Sequence, residues 1–258
     1  MNGNSKRKRD EEAEEEEEEE NVEKREEEEE KEELVGLPAA PSPAKKSGGE
    51  GGVIFVLEKA TLEVGKVGKT YQLLNCDDHG HFLRKNKKDP AAYRPDIIHQ
   101  ALLAVLDSPL NKAGRLSALY VQTQKNVLIQ VNPHVRLPRT FKRFCGLMVQ
   151  LLQKLSIRAT NGPDKLLRVI KNPVTKHLPS EARRIGLSHS ASKVVWLHDY
   201  VAAVNDKIPL VFTVGAMAHG KIEADYIDDF ISISEYPLSA ACCIGRICNA
   251  VEQKWKIL

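Results

Sequence analysis

Leu210-Val-Phe-Thr-Val-Gly215-Ala-Met-Ala-His-Gly220 is an apolar, β-branched run that stops at two glycines five positions apart. The run Leu210–Val214 reads as a buried strand. The glycines carry its backbone N–H and C=O groups to the carboxyl edge of a sheet, where open α/β sheets bind ligands. No Gly-Lys-Ser/Thr follows, so this is not a Walker phosphate loop, and it lacks the dinucleotide Gly-x-Gly-x-x-Gly pattern. Taken alone, a tight turn and a ligand contact both fit it.

Working outward, Ile233-Ser-Glu-Tyr-Pro-Leu238 followed by Ser239-Ala-Ala is a second strand-to-helix junction, with small residues that allow close backbone packing. Two such junctions on neighbouring strands can enclose an adenosine through main-chain hydrogen bonds. Further strands are expected at Val53–Leu57, Leu116–Thr123, Val127–Val131, Leu166–Ile170, Val194–Leu197 and Phe230–Ile233, with a hairpin turn at Gln124-Lys125-Asn126. Residues 58–90 read as polar and irregular. Arg94-Pro95-Asp96 opens a helix, with Pro and an acid in the first turn. Ile98, Ala101, Leu102, Val105 and Leu106 form its apolar face. A last helix is expected over about Leu238 to Lys256. Strands alternating with helices predict an α/β domain with a largely parallel sheet.

Arg136-Leu-Pro-Arg139-Thr-Phe-Lys142-Arg143 carries the strongest chemical signal. A helix from Pro138 to about Leu155 gathers Phe141, Phe144, Cys145, Met148, Leu151, Leu152 and Leu155 on one stripe, with Arg139, Lys142 and Arg143 opposite. Cations at a helix N-terminus oppose the macrodipole, typically by a few tenths of a kcal/mol each. Guanidinium forks and free backbone N–H groups do converge on a phosphate there. A solvated basic face competes with this reading, and charge alone does not separate RNA from DNA. Arg94 beside Asp96 is a second constellation, in which the carboxylate holds the arginine ready for a phosphate or base edge; an ordinary surface pair competes with it.

The formal charge of +2 hides a segregation. Residues 1–50 hold nine basic and 19 acidic side chains, and the remaining 208 residues hold 29 basic and 17 acidic. A tail with net charge −10 thus precedes a body with net charge +12. The tail has no aromatic residue and is nearly pure Glu over residues 10–33, so residues 1–52 are expected to be a disordered acidic tail and linker and 53–258 the folded domain. Lys6-Arg7-Lys8-Arg9 fits a nuclear import signal or a solvated charge cluster. No apolar run approaches the roughly 18–20 residues that span a bilayer, and the N-terminus lacks a secretory signal. Cys76, Cys145, Cys242, Cys243 and Cys248 lack disulfide or zinc spacing, and Cys242, Cys243 and Cys248 are expected to be buried. His79 and His81 lack a second ligand pair, so no metal is expected. A reducing compartment is.

Six motifs stand in order: Leu73-Leu-Asn-Cys-Asp-Asp-His79, Arg94-Pro-Asp-Ile-Ile-His-Gln100, Leu106-Asp-Ser-Pro-Leu-Asn-Lys-Ala-Gly114, Arg136-Leu-Pro-Arg-Thr-Phe-Lys-Arg143, Val214-Gly-Ala-Met-Ala-His-Gly220 and Ser234-Glu-Tyr-Pro-Leu-Ser-Ala240. Together they closely resemble the nucleolar essential protein (essential for mitotic growth) family of ribosomal RNA pseudouridine methyltransferases, over about residues 53–258.

The resemblance implies a SPOUT-class α/β domain with family-specific insertions and a C-terminal trefoil knot. It also implies a homodimer, a nuclear and nucleolar location, and pre-ribosome or ribosomal protein partners. The implied activity is methylation of pseudouridine N1 in small-subunit ribosomal RNA with S-adenosylmethionine. Carried over, cofactor contacts fall on Leu187, Gly215, Gly220, Ile233, Ser234, Glu235, Tyr236, Pro237 and Leu238. RNA contacts fall on Arg94, Arg136, Arg139 and Arg143. Asp96 and Arg94 are the catalytic candidates: Asp96 is a candidate for the base that takes the N1 proton, but its favoured role is to orient Arg94, and the base is left unassigned. Leu187 falls in a stretch read as a variable loop, Gly186-Leu-Ser-His-Ser190, and Glu235 stands where the family pattern has Asn. An RNA-binding assembly factor with dispensable methyl transfer is the alternative, and a SPOUT enzyme acting on ribose oxygen or guanine is a third reading.

Overall fold

Val53–Ala60 (β1) is almost continuously buried, as expected of a strand covered on both faces. Val53, Phe55 and Leu57 face one apolar cluster, while Ile54 and Val56 face a second, smaller one. The structure is a computed structural model that describes residues 37–38, 51–160 and 162–258. The Lys6–Arg9 cluster, the glutamate run and most of the linker lie outside the described residues. Leu37–Leu258 form one unit.

After β1 come Val64–Val67 (β2) and Thr70–Leu73 (β3), an antiparallel hairpin, then helix Cys76–Lys85 (α1). Next are helices Pro95–Asp107 (α2) and Pro109–Lys112 (α3), strands Leu116–Thr123 (β4) and Leu128–Val131 (β5), and helix Phe141–Lys154 (α4). Strands Ser156–Arg158 (β6), Lys165–Ile170 (β7) and Arg183–Leu187 (β8) follow, then helix Leu197–Ala202 (α5). Strands Leu210–Gly215 (β9) and Asp229–Ile231 (β10) precede the last helix, Ala240–Lys254 (α6).

One sheet has the order β10-β8-β9-β1-β4-β5-β7-β6. The first five of these strands run parallel, and β5, β7 and β6 extend the sheet antiparallel. The parallel reading therefore holds for the half that carries β9. At its centre Phe55 and Phe212 are fully buried with ring centroids 6.0 Å apart; such burial contributes roughly 1.5–3 kcal/mol per large side chain. Helices α2 and α6 pack together over this face.

Several elements differ from expectation. Val194 makes only an isolated bridge to Ser232, and Leu197 begins α5, so Val194–Leu197 is not a strand. Its four apolar residues serve different ends: Leu197 is buried and Trp196 is 77% exposed. The stretch read as irregular holds β2, β3 and α1, whose helix buries only His79 and Leu83 and so shows no apolar stripe. Helix α4 starts at Phe141 rather than Pro138, and it ends at Leu155, which takes a left-handed cap (φ 62°) and points outward, 57% exposed. Leu37, within the stretch read as linker, is buried and bridges Ala159.

The chain between β10 and α6 is held from two sides by one loop. Ser188 N–H donates to Ile231 O (3.0 Å), Ser232 N–H to Lys193 O (2.8 Å) and Val195 N–H to Ser232 O (2.9 Å). Residues 188–195 therefore bracket the segment that leads into the last helix.

Candidate active site

The carboxyl ends of β8, β9 and β10 surround an open cavity, at the edge where open α/β sheets bind small molecules. Strand β9 ends at Gly215, opposite Glu58 of β1, and the next residue is pinned: Ala216 N–H donates to Glu58 O at 2.7 Å. Gly220 closes the turn at φ +113°, a conformation L side chains rarely adopt. Strand β8 contributes Leu187; inside it, a Cβ on Gly186 would lie 2.7 Å from the Phe230 ring, so β10 can approach only because this residue is glycine.

The facing wall is Ile231–Ser234. Ser232 Oγ donates to Ser234 O (2.8 Å) and Tyr236 N–H donates to Ser234 Oγ (3.0 Å), which sets the backbone as it turns toward α6. Ser239 then caps α6 by accepting from Cys242 N–H. Leu187, Gly215, Gly220, Ile233, Ser234, Tyr236 and Leu238 line the cavity, whereas Glu235 and Pro237 are not among the lining residues. His189, Met217, His219, Lys221 and Cys243 also line it. His219 lies inside the glycine-bounded motif, so its signal was present in the sequence; His189 sits in the variable loop and left none.

The loop that carries the cavity is tied to β1 from beneath. The Tyr226 hydroxyl donates to Glu58 Oε1 (2.8 Å), and Lys59 Nζ donates to Lys221 O (2.5 Å). Burial pushes the Glu58 carboxyl up, against the lowering effect of the Tyr226 hydrogen bond.

Arg94 caps α2, where its guanidinium meets Asp96 in a two-pronged contact: Nε to Oδ1 at 2.8 Å and Nη2 to Oδ2 at 2.6 Å. The Arg94 hydrogen bond holds the Asp96 carboxyl below its usual range. The preceding residue is braced, because Tyr93 OH donates to Glu63 Oε2 (2.8 Å) and Cys76 N–H donates to Tyr93 O (2.9 Å). Arg136, Arg139, Lys142 and Arg143 are exposed, as the amphipathic pattern of α4 requires. The first turn of α4 has no acid and Thr140 makes no side-chain cap. Buried His99 fixes this region, with Nε2 2.9 Å from Pro138 O and its ring stacked on Phe144 at 4.4 Å.

Arg139 Nη1 lies 2.7 Å from Asp107 Oδ2, at the end of α2 remote from Arg94. Eleven residues of helix separate Asp96 from Asp107, about 16 Å. The arginines thus form two groups along α2, and none of Arg94, Asp96, Arg136, Arg139 and Arg143 is a lining residue of the cavity.

The cysteines divide. Cys248 is buried, with its thiol pushed up to about 12 by burial, whereas, contrary to expectation, Cys243 is only half-buried and Cys242 is exposed. His79 is a buried structural residue, paired with Gln72 Oε1 (2.7 Å) and accepting from Asn75 N–H (3.1 Å). Among the described residues no group of three or more His, Cys, Asp and Glu could hold a metal ion, and no helix is long and apolar enough to cross a membrane.

Comparison with known proteins agrees with this architecture. The chain is 54% identical to mouse ribosomal RNA small subunit methyltransferase NEP1 over 206 residues, 80% of this chain and 83% of that one. The human protein of the same name gives the same identity and coverage. An archaeal Nep1 from Staphylothermus marinus is 31% identical, covering 79% of this chain and 88% of that one. The crystal structure of Archaeoglobus fulgidus Nep1 bound to S-adenosylhomocysteine shares the fold, with a TM-score of 0.59 at 21% identity, over 80% of this chain and 99% of that chain. A family model described as EMG1/NEP1 methyltransferase matches residues 55–252, and the chain belongs to that family.

Proposed function

We propose that this chain transfers a methyl group from S-adenosylmethionine to N1 of a pseudouridine in small-subunit ribosomal RNA. The observation that carries the reading is the cavity at the carboxyl edge of β8, β9 and β10, in a chain 54% identical to proteins named for small-subunit ribosomal RNA methylation. The lining suits an adenosyl group. Leu187, Ile231, Ile233 and Leu238 offer apolar contact, and the turns at Gly215–Gly220 and Ser232–Ser234 offer main-chain donors and acceptors. When bound, the cofactor supplies a sulfonium methyl as electrophile.

The protein's contribution is mainly alignment, which supplies roughly 7–11 kcal/mol in well-oriented reactions. Arg94, oriented by Asp96, together with Arg136, Arg139 and Arg143, holds the RNA, and the target nucleotide leaves any stack to reach the donor. A homodimer, nucleolar residence and pre-ribosomal protein partners belong to the same reading. So does a trefoil knot, supported by the bracketing of Ile231–Ser232 between Ser188 on one side and Lys193 and Val195 on the other.

The test pairs calorimetry of S-adenosylhomocysteine binding with mass analysis of one hairpin made with pseudouridine or uridine at the target position. Methylation of the pseudouridine form alone is expected. Equal methylation of both forms favours a ribose or guanine substrate. RNA binding without cofactor binding favours the assembly-factor reading.

A further inference from the structure

Transfer to N1 requires that nitrogen to lose a proton, and among the described residues no carboxylate lines the cavity. Asp96 is not among the lining residues, and both its oxygens are occupied by Arg94. The titratable side chains that do line it are His189, His219, Lys221, Tyr236 and Cys243. Ammonium, phenol and thiol groups ordinarily hold their protons at neutral pH, and burial pushes the Cys243 thiol up further, to about 11. Imidazole is the lining group that exchanges a proton near neutrality. Two imidazoles are present, and their supports differ.

His189 sits on the Ser188–Lys193 loop, which is closed on itself by Ala191 N–H to Ser188 O (3.1 Å) and a contact between the Ser188 and Ser190 hydroxyls (3.1 Å). His219 sits between Gly215 and Gly220 on the turn fastened to β1 at both ends, through Ala216 to Glu58 O and through Lys221 O to Lys59 Nζ. A proton acceptor must be held in place before the reaction; the turn is tied on both flanks of His219 to β1, inside the sheet, whereas the loop that carries His189 is tied to the edge strand β10 and the residue after it. We infer that His219, at the mouth of the donor cavity, takes the N1 proton of the target base; the inference rests on the methyl-transfer reading above.

In this step the N1–H bond breaks toward an imidazole nitrogen while the N1 electron pair forms the bond to the methyl carbon. The sulfur–methyl bond breaks with its pair returning to sulfur, leaving a neutral thioether. The imidazolium then gives its proton to water, to which His219 is exposed. The groups around it are Lys221 on the same turn, His189 and Tyr236 across the cavity, Cys243 from α6, and the Lys59 ammonium from β1. Glu58 lies beneath the turn, bonded to Tyr226.

The experiment uses the full chain, His219→Gln and His189→Gln with the pseudouridine hairpin. Wild-type kcat/KM is expected to fall on the acid side. His219→Gln is expected to lose that limb and about 100-fold or more of the neutral rate, yet to bind S-adenosylhomocysteine as wild type does by calorimetry. Its rate should approach wild type in alkaline buffer, where the imide-type N–H ionises unaided, and added imidazole should restore part of it. Mass-mapped modification of His219 by diethyl pyrocarbonate should drop when hairpin and S-adenosylhomocysteine are both bound, and His189→Gln should keep the acid limb. The inference is overturned if His219→Gln keeps the limb, if it loses S-adenosylhomocysteine affinity, if modification is unprotected, or if His189→Gln removes the limb. Absence of methyl transfer by wild-type protein sinks the parent reading; transfer with any of those four results sinks this inference alone.

Discussion

Glu58 and Tyr226 are 168 positions apart in sequence, yet the tyrosine hydroxyl donates to the half-buried carboxylate at 2.8 Å, beneath the cavity turn. Removing the donor leaves Glu58 with an unmet acceptor, so Tyr226→Phe is expected to cost about 1–3 kcal/mol. Urea unfolding of the pure protein measures it; a change under about 0.5 kcal/mol, the level of an ordinary surface substitution, would show that the contact does not bear on folding.

The same pair sets a pH dependence. Burial raises the folded-state value of Glu58 above its ordinary 4.5, so the folded protein prefers the protonated acid. That contribution is complete below about 4.5 and is lost as pH climbs through the raised value. Glu58→Gln removes it, so the variant's melting temperature should gain on wild type as pH rises above about 4.5. Parallel curves would contradict the assignment.

For the arginines, Arg136→Ala should weaken RNA binding and leave cofactor affinity intact, with the log–log salt slope reduced by about 0.7 per lost phosphate contact on single-stranded RNA. Arg139 must first leave Asp107. Because exposed pairs are worth at most about 1 kcal/mol, Asp107→Asn should tighten RNA binding by no more than about fivefold. Weaker binding in this variant would mean that Asp107 serves to aim Arg139.

Asp96 makes an opposite prediction about acid. Its carboxyl is lowered by the Arg94 hydrogen bond, so its contribution is present above the ordinary value of 3.8 and fades as pH falls through the lowered one. Both partners are part-exposed, which keeps the energy within about 1 kcal/mol. Asp96→Asn should therefore affect RNA affinity at neutral pH more than stability, while calorimetry with S-adenosylhomocysteine remains unchanged.

Gly220→Val places a β-branched residue at φ +113°, a strain of about 1–3 kcal/mol. Cofactor affinity should drop with RNA affinity kept; normal cofactor binding would remove this turn from the site.

The parts of the fold that could be read in advance are those where one periodicity rules. Strands β1, β4 and β9 are buried on both faces and read as apolar runs, and α2 and α6 repeat at three and four. Strand β8 was missed because Arg183, Arg184 and Gly186 dilute its signal, although Arg183 pairs with Asp229 (3.3 Å) and Gly186 makes room for Phe230. The glycine turn was legible as a possible ligand contact because a strand and its stop lie together in sequence. The Glu58–Tyr226 tie and the placement of His189 and His219 on one cavity were not, since they depend on strand order, which no local pattern encodes.

The bracketing of Ser232 bears on how small molecules come and go. Three main-chain bonds join the 188–195 loop to residues 231–232, making them a single panel, whereas the 216–221 turn hangs from β1 by one main-chain bond and one lysine. The turn is therefore the side expected to yield when spent donor is exchanged for fresh, with the panel held shut. Stopped-flow release of S-adenosylhomocysteine should quicken in Lys59→Ala and stay constant in Ser190→Ala; equal release in both variants would mean that the donor leaves by another side.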